Sequence, residues 1–442
     1  MTSETPDLSR FRADFPALAR RRGGRPPIYL NSACVTLRPR PVIEAIARYY
    51  ETFPTCGGGR AEGAHHLHSW FGEELQGEEE QAREAVRELL GAADVSEIVW
   101  TRNTTEAINL VARGLGLQPG DEVLGSEGEH NSNLVPWLEV QRRLREQAGD
   151  PELGVRRFFD LAEDGTLDVE RALAAISPLT RVLAISQASS LDGAQVSDED
   201  IRKLAKRVHE VGGVLLLDAA QSVPHRPVDV QALDVDFLAF SFHKMCGPSG
   251  MGALYGRRAL LDGLEPFIVG GDTVADTWVD AVEYKAPPGR FEGGLQDYAG
   301  MLGARAAIEY VTRTVGLDAI QAHDRALDAY LVERLADLEC DHFWLLGPRD
   351  PSRRGGIVTM ASSVGAIVNA IEREADEQHN IMLRKGMFCA NAYLHRRHDR
   401  TGTAANNLRA SVYLYNTEAE CSALCDVVEE VVKNPLDHLD DE

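Results

Sequence analysis

The stretch Ala239–Gly250, AFSFHKMCGPSG, decides how this chain reads. It sets a lysine, Lys244, directly behind an apolar run of strand character and directly ahead of a glycine-proline turn. Upstream, Val214–Gln221 (VLLLDAAQ) is a second apolar run, and it too ends on a charge, Asp218. Such continuous apolar runs suit strands covered on both faces, as in a parallel sheet. Ligand groups collect at the carboxyl ends of these strands and at the helix starts that follow. A carboxylate leaving a buried strand must be paired or hydrogen-bonded. Two readings stay open for Lys244 and Asp218: a structural ion pair, or two ends of a ligand site.

Outward from these runs the chain alternates. Helical spacing in EELQGEEEQAREAVRELLGA, with glutamates in its first turns, precedes a strand-like EIVWT. TTEAINLVARGLG then reads as a helix opening on Thr104 and Thr105. DEVLGSE, GVRRFFDL, RVLAIS, GVLLLDAAQS, DVDFLAFSF and GALYG read as further strands, the first four of them separated by helical stretches. This alternation predicts an α/β fold with a mostly parallel sheet sandwiched by helices. From Phe267 to Gly294 the texture turns loop-rich, as expected of a crossing segment near a ligand or subunit boundary. Beyond it, long helical patterns and the apolar runs GGIVTMAS, HNIMLRKGMFC and NLRASVYLYNT have the βαβ-like texture of a second domain.

The chain has 442 residues, more than one hydrophobic core usually holds, so a large domain with a smaller satellite is the expected organisation. The boundaries expected are an N-terminal arm at 1–28 packing with the small domain, a large cofactor domain at 29–296 and a small C-terminal domain at 297–442. A formal net charge of −23 and the lack of a basic stripe exclude a nucleic-acid partner. No apolar run approaches a membrane span, and the first residues lack an apolar signal core, so a cytoplasmic protein is expected. Seven scattered cysteines are poor material for a disulfide framework and suggest reduced thiols. Cys421 and Cys425, four apart on a helical pattern, read as core-facing. The histidine run His65–His68 lacks partners at zinc spacing, so no metal is expected.

The sharper reading of Lys244 and Asp218 is an aldehyde cofactor. A lysine in a partly desolvated pocket loses its proton readily and can form a Schiff base. An aspartate facing a pyridine nitrogen keeps that nitrogen protonated, so the ring becomes an electron sink. Thr104 and Thr105, at a helix start, offer hydroxyls and free N–H groups to a phosphate. Together these features describe pyridoxal 5'-phosphate.

The segment from Leu215 to Gly256, containing LLLDAAQSVPHRPVDVQ and FLAFSFHKMCGPSGMGALYG, resembles the lysine region of the class V aminotransferase family. The closer likeness is to its cysteine desulfurase and selenocysteine lyase branch. YLNSACVTLRPRPVIEAI, TRNTTEAINLVA, EHNSNLVPW, RFEGG, RKGMFCANAYL and LRASVYLYNTEAE are similar to that branch in the same order. The resemblance implies a fold-type I transferase that binds pyridoxal phosphate. It implies that Lys244 bonds the cofactor, Asp218 faces the ring nitrogen, Gln221 meets the ring oxygen and His130 stacks on the ring and serves in proton transfer. It further implies that Thr105, Ser241 and His243, with Thr104 in a lesser part, hold the phosphate. Arg409 would clamp the substrate carboxylate bidentately, and Arg384, Ser190 and Ala33 would also contact substrate.

Cys389 decides the chemistry. In the resembled branch a loop cysteine five residues after an arginine accepts sulfur as a persulfide, and Cys389 follows Arg384 at that spacing. A reactive thiolate needs an exposed, electropositive loop, which Arg384, Lys385, Arg396 and Arg397 would provide. The implied reaction converts L-cysteine to alanine and a Cys389 persulfide, destined for a sulfur-acceptor protein or a small thiol. The alternative is a C–S lyase or epimerase of the same family with Cys389 a bystander. A homodimer is implied as well. Five positions depart from the family pattern: Met387 and Phe388 for a His pair, Ser190 for asparagine, Phe242 for glycine and Leu295 for threonine. Phe242 and Leu295 are expected to loosen or rearrange phosphate binding.

Overall fold

The structure, a computed structural model, describes residues 6–56, 69–401 and 406–435. The expectation for His65–His68 lies outside the described residues. The strands are β1 (Ile28–Tyr29), β2 (Ile98–Thr101), β3 (Glu122–Ser126), β4 (Arg156–Phe159), β5 (Thr180–Ser186), β6 (Val214–Asp218), β7 (Phe237–Ser241) and β8 (Gly252–Gly256). They are followed by β9 (Val274–Thr277), β10 (Val282–Tyr284), β11 (Phe343–Leu346), β12 (Ile357–Ser362), β13 (Ile381–Met382), β14 (Arg384–Lys385) and β15 (Asn406–Ser411).

Seven strands form the central sheet in the order β2-β8-β7-β6-β5-β3-β4. The pairings from β4 through β7 are parallel, and only β8 runs against its neighbours. The sheet is mostly parallel, as the apolar runs require. Leu215, Leu216, Leu217, Phe237, Leu238 and Phe240 are wholly buried, with residues of alternate parity joining two separate apolar clusters on opposite faces. Because the parallel strands point the same way, their last residues lie along one edge: Ser126, Ser186, Asp218 and Ser241. The register sets Ser186 opposite Asp218 and Asp218 opposite Ala239.

The helix Thr104–Gly114 starts at the same edge, capped by Asn103, whose side chain accepts the Glu106 N–H at 3.0 Å. Its approach depends on one glycine. A Cβ on Gly252 would stand 2.7 Å from both Asn103 Cα and the Phe240 carbonyl oxygen, so β8 must be bare where the cap crosses it.

A second core lies under a four-stranded sheet ordered β11-β12-β15-β14. Every pairing in it is antiparallel. The βαβ-like texture of the tail has a specific origin: β12 and β14 are both antiparallel to β15 between them, so they run in one direction and form a split βαβ unit around the helix Gly365–His379. Cys421 and Cys425 are buried in this core, as their spacing suggests. The N-terminal residues run back to the same end: Phe15 packs edge-on against Tyr415, Arg12 pairs with Glu420 at 2.7 Å, and β1 pairs with β13. The loop-rich segment carries a short antiparallel hairpin, β9–β10, with Trp278 and Val279 exposed at its tip. Among the described residues no helix is long and apolar enough to cross a membrane.

Candidate active site

Every site residue expected from sequence lines one cavity of about 270 Å³ at the carboxyl edge of the central sheet. Its floor is Asp218 and Lys244. One Asp218 oxygen accepts the Ala220 N–H at 3.0 Å. Among the described residues Lys244 has no carboxylate within ion-pair distance, so the structural ion-pair reading of these two residues falls away. Burial pushes the Lys244 amine down; Asp218 opposes that shift and Arg409 adds to it. Burial pushes the Asp218 carboxyl up, against the Ala220 N–H and Lys244. Each charge is costly as it stands, and each would be relieved by a group placed between them.

Two hydroxyl pairs line one end of the cavity. Thr104 Oγ1 lies 2.6 Å from Ser241 Oγ, which also accepts the Thr104 N–H at 2.8 Å. Both Thr104 groups are thus engaged with Ser241, and Thr104 is buried. Thr105 Oγ1 lies 2.7 Å from Ser132 Oγ on the more exposed side. His243 is held at about 4 by burial, with Lys244 and Arg38 contributing, so the ring is neutral at physiological pH. His130 is held lower, at about 3, by burial first and then by Lys244 and Arg409. Its Nδ1 accepts the Ser132 N–H at 3.0 Å, which leaves the ring proton on Nε2. Gln221 gives one amide N–H to the Ala33 carbonyl at 2.9 Å, while its Oε1 is buried without a partner.

The rim comes from the second sheet. Arg384 on β14 stands directly opposite Arg409 on β15. Like charges directly opposite destabilise a strand pair unless an anion joins them. Arg409 is 4% exposed, donates to the Ser190 carbonyl at 2.5 Å, and lies 4.7 Å from the Phe388 ring centroid. Its Nε has no partner, and among the described residues no carboxylate pairs with it. Burial drives its pKa down to about 10. Cys389 is exposed, and both Phe388 and Cys389 sit in the left-handed region, at φ 48° and 59°. That conformation is uncommon for residues with a side chain and clusters at functional sites. The Cys389 carbonyl accepts the Asn131 N–H at 2.7 Å, which ties this loop to the His130 segment.

The structure corrects several sequence expectations. Lys385 pairs with Glu372, Arg396 with Glu127 and Asp160 at 2.9 Å each, and Arg397 donates to Tyr393. The positive charge at Cys389 comes instead from Arg384 and Arg409. Phe242 does not enter the cavity; it is wholly buried against Phe240 and Trp100, and Ser241 and His243 keep their places in the lining. Ser190 contributes its carbonyl to Arg409, and Leu295 is exposed. Sequence reasoning missed Cys34, Asn103, Ser132, Ser186, Ala188, Ala220 and Phe388 as lining residues. Cys34, Asn103 and Ser132 lie inside the quoted motifs and Asn103 also precedes a helix start, signals that could have found them.

The residues present fit pyridoxal phosphate. The unpaired Lys244 and Asp218 suit its aldehyde and ring nitrogen, the remaining Gln221 amide N–H suits a ring oxygen, and the hydroxyls at the helix start suit a phosphate.

Comparison with known proteins agrees with this architecture. The family model described as aminotransferase class-V matches residues 28–424. The cysteine desulfurase of Haloferax volcanii is 34% identical over 445 aligned residues, covering 96% of each chain. A probable cysteine desulfurase of Streptomyces coelicolor is 36% identical, covering 96% of this chain and 97% of its own. The apo structure of a cysteine desulfurase from Thermococcus onnurineus superposes with a TM-score of 0.83 at 30% identity, covering 98% of this chain and 99% of that one. The fold is fold-type I, and the chain belongs to the class-V aminotransferase family.

Proposed function

We propose that this chain is a pyridoxal phosphate-dependent cysteine desulfurase in which Cys389 accepts the sulfur. The observation that carries the reading is the convergence, in one cavity, of an exposed Cys389, two arginines and a half-buried Lys244, none of the three cations having a carboxylate within ion-pair distance among the described residues. The likeness to relatives named cysteine desulfurase over nearly the whole chain supports it.

When bound, pyridoxal phosphate supplies an electrophilic carbonyl carbon and an electron-withdrawing ring. Lys244 provides the amine for that carbon, and its lowered pKa makes the neutral amine accessible. Asp218 holds the ring nitrogen protonated, and Gln221 and His130 orient the ring. Ser241, Thr105 and His243 hold the phosphate, with Thr104 fixing the Ser241 hydroxyl. Arg409 takes the substrate carboxylate, and its two engaged neighbours, the Ser190 carbonyl and the Phe388 ring, set the direction of the guanidinium. Arg384, Ser190 and Ala33 complete the substrate side.

The neutral His130 ring, with its proton on Nε2, offers that N–H to the cavity as a hydrogen-bond donor, the position from which proton transfer to the substrate would be guided. The Cys389 thiolate then attacks the sulfur of the substrate: the carbon–sulfur bond breaks with its electron pair left on carbon, a sulfur–sulfur bond forms, and of the two original thiol protons one ends on the alanine methyl carbon and the other on the persulfide. The exposure of Cys389 favours this over a lyase in which that cysteine is a bystander.

Residues 1–28, 29–296 and 297–442 are proposed as arm, large domain and small domain; the second core supports a separate small domain, while the helix Tyr298–Glu309 and the arm residues Phe11 and Phe15 pack in the first core. The exposed hairpin and Leu295 support a homodimer built across the loop-rich segment. Three exposed free cysteines, Cys56, Cys340 and Cys389, support a reducing, cytoplasmic setting, and the open rim suits a sulfur-acceptor partner. The test is Cys389→Ser: it should keep the cofactor spectrum while alanine formation from L-cysteine collapses. Pyruvate formation at the wild-type rate in that variant would transfer the protein to the lyase class.

A further inference from the structure

We propose that Cys34 is a resolving thiol for Cys389, displacing the terminal sulfur of the Cys389 persulfide as hydrosulfide and leaving a Cys34–Cys389 disulfide. The inference rests on the desulfurase reading above. Cys34 is the second cysteine in the cavity lining; it is half-buried, while Cys389 is exposed. No other cysteine lines the cavity.

The two thiols reach the cavity from different supports. Cys34 belongs to a turn fixed by three hydrogen bonds: Ser32 N to the Ser411 carbonyl at 3.2 Å, Ala33 N to Ser411 Oγ at 2.9 Å, and Gln221 to the Ala33 carbonyl at 2.9 Å. Cys389 belongs to the loop after β14, where it and Phe388 hold left-handed backbone angles. Arg409 links the two: it sits two residues before Ser411 on β15, and its guanidinium lies over Phe388. Both thiols line the cavity together with the Arg409 guanidinium, which has no carboxylate partner among the described residues. A cation and partial exposure are what an attacking thiol needs, and Cys34 has both. Relaxation of the strained Phe388-Cys389 backbone gives the loop a route to move against the fixed Cys34 turn.

The step balances. The Cys34 thiolate attacks the inner sulfur of the persulfide, the Cys34–Cys389 sulfur–sulfur bond forms, and the bond to the terminal sulfur breaks. The terminal sulfur leaves as hydrosulfide, reduced by two electrons, while the two cysteines are oxidised to the disulfide. The persulfide is itself the oxidant. A small thiol or dithiol then reduces the disulfide and resets the enzyme. This gives a sulfide-releasing mode that needs no acceptor protein.

The test uses holoenzyme, one equivalent of L-cysteine and no added thiol, with alanine, hydrosulfide and alkylated peptides measured in the same sample. The wild type should give alanine, hydrosulfide and a cross-linked Cys34–Cys389 peptide. Cys34→Ser and Cys34→Ala should retain the extra sulfur on the Cys389 peptide and release about tenfold less hydrosulfide. A wild-type persulfide as long-lived as that of the two variants would overturn the proposal, as would sulfur found on the Cys34 peptide with no cross-link. Lack of alanine from all three proteins would instead overturn the desulfurase reading beneath it.

Discussion

Two buried arginines, Arg83 and Arg409, are nearly equally hidden, at 7% and 4% exposure, yet their surroundings are opposite. Arg83, on the helix Trp70–Leu90, grips Glu292 with two nitrogens at 2.7 and 2.9 Å, reaches the Ile98 carbonyl at 2.8 Å, and touches Glu79 at 3.1 Å. The same Glu292 accepts the Trp100 N–H at 2.7 Å. Burial works against the Arg83 charge, but Glu292 and Glu79 outweigh it and its pKa rises. Arg409 has a carbonyl, a ring and another arginine, and its pKa falls. A structural cation carries its counter-ion with it, whereas a cation kept for a ligand is left short of one.

That contrast is broken most severely at Arg83. Removing one partner of a buried pair strands the other, so Arg83→Ala or Glu292→Gln should lose about 3–5 kcal/mol of stability in denaturant titration, with KM for L-cysteine unchanged in whatever folds. Arg409→Ala should do the reverse. We expect kcat/KM for L-cysteine to fall by about 2–4 kcal/mol, roughly 30- to 1000-fold, with stability equal or higher because a desolvated charge is gone. A drop in stability of the Arg83 size would place Arg409 among the structural residues.

The contrast was only half legible in the sequence. Lys244 and Asp218 sit at the ends of apolar runs, where periodicity alone places them, whereas Arg409 lies inside β15 and was legible only through the family resemblance. Glu292 was visible only as part of RFEGG, because its partner Arg83 lies on a distant helix. The Arg384–Arg409 pairing depends on antiparallel register between strands joined through the helix Asn391–Thr401, which composition does not reveal. Charges near Cys389 in sequence were misjudged for the same reason: Lys385 and Arg396 find carboxylates brought to them by tertiary folding. Phe242 looked like damage to the phosphate end, but a side chain one residue from the cavity points to the opposite face of its strand end and joins the core.

Smaller effects sharpen the picture at the rim. Phe388→Leu removes the ring beneath Arg409 and should cost about 1 kcal/mol in substrate binding, a roughly fivefold rise in KM with kcat changed less. An unchanged KM would mean that the ring packs without directing the guanidinium. The smallest expected change is none. His130, with its pKa held near 3, should show no protonation in NMR between about pH 5 and 8, where an ordinary histidine titrates. Because its folded-state pKa lies below the unfolded value, this group favours the folded state above the unfolded pKa and loses that contribution on acidification. His130→Gln should therefore flatten the fall in stability below about pH 6.

The central claim is that Lys244 and Asp218 are held apart as the two ends of a cofactor site. Borohydride trapping of the purified protein followed by peptide mapping tests it most directly. The account predicts a pyridoxyl group fixed to the Lys244 peptide. Attachment to a different lysine, or none after incubation with pyridoxal phosphate, would contradict it.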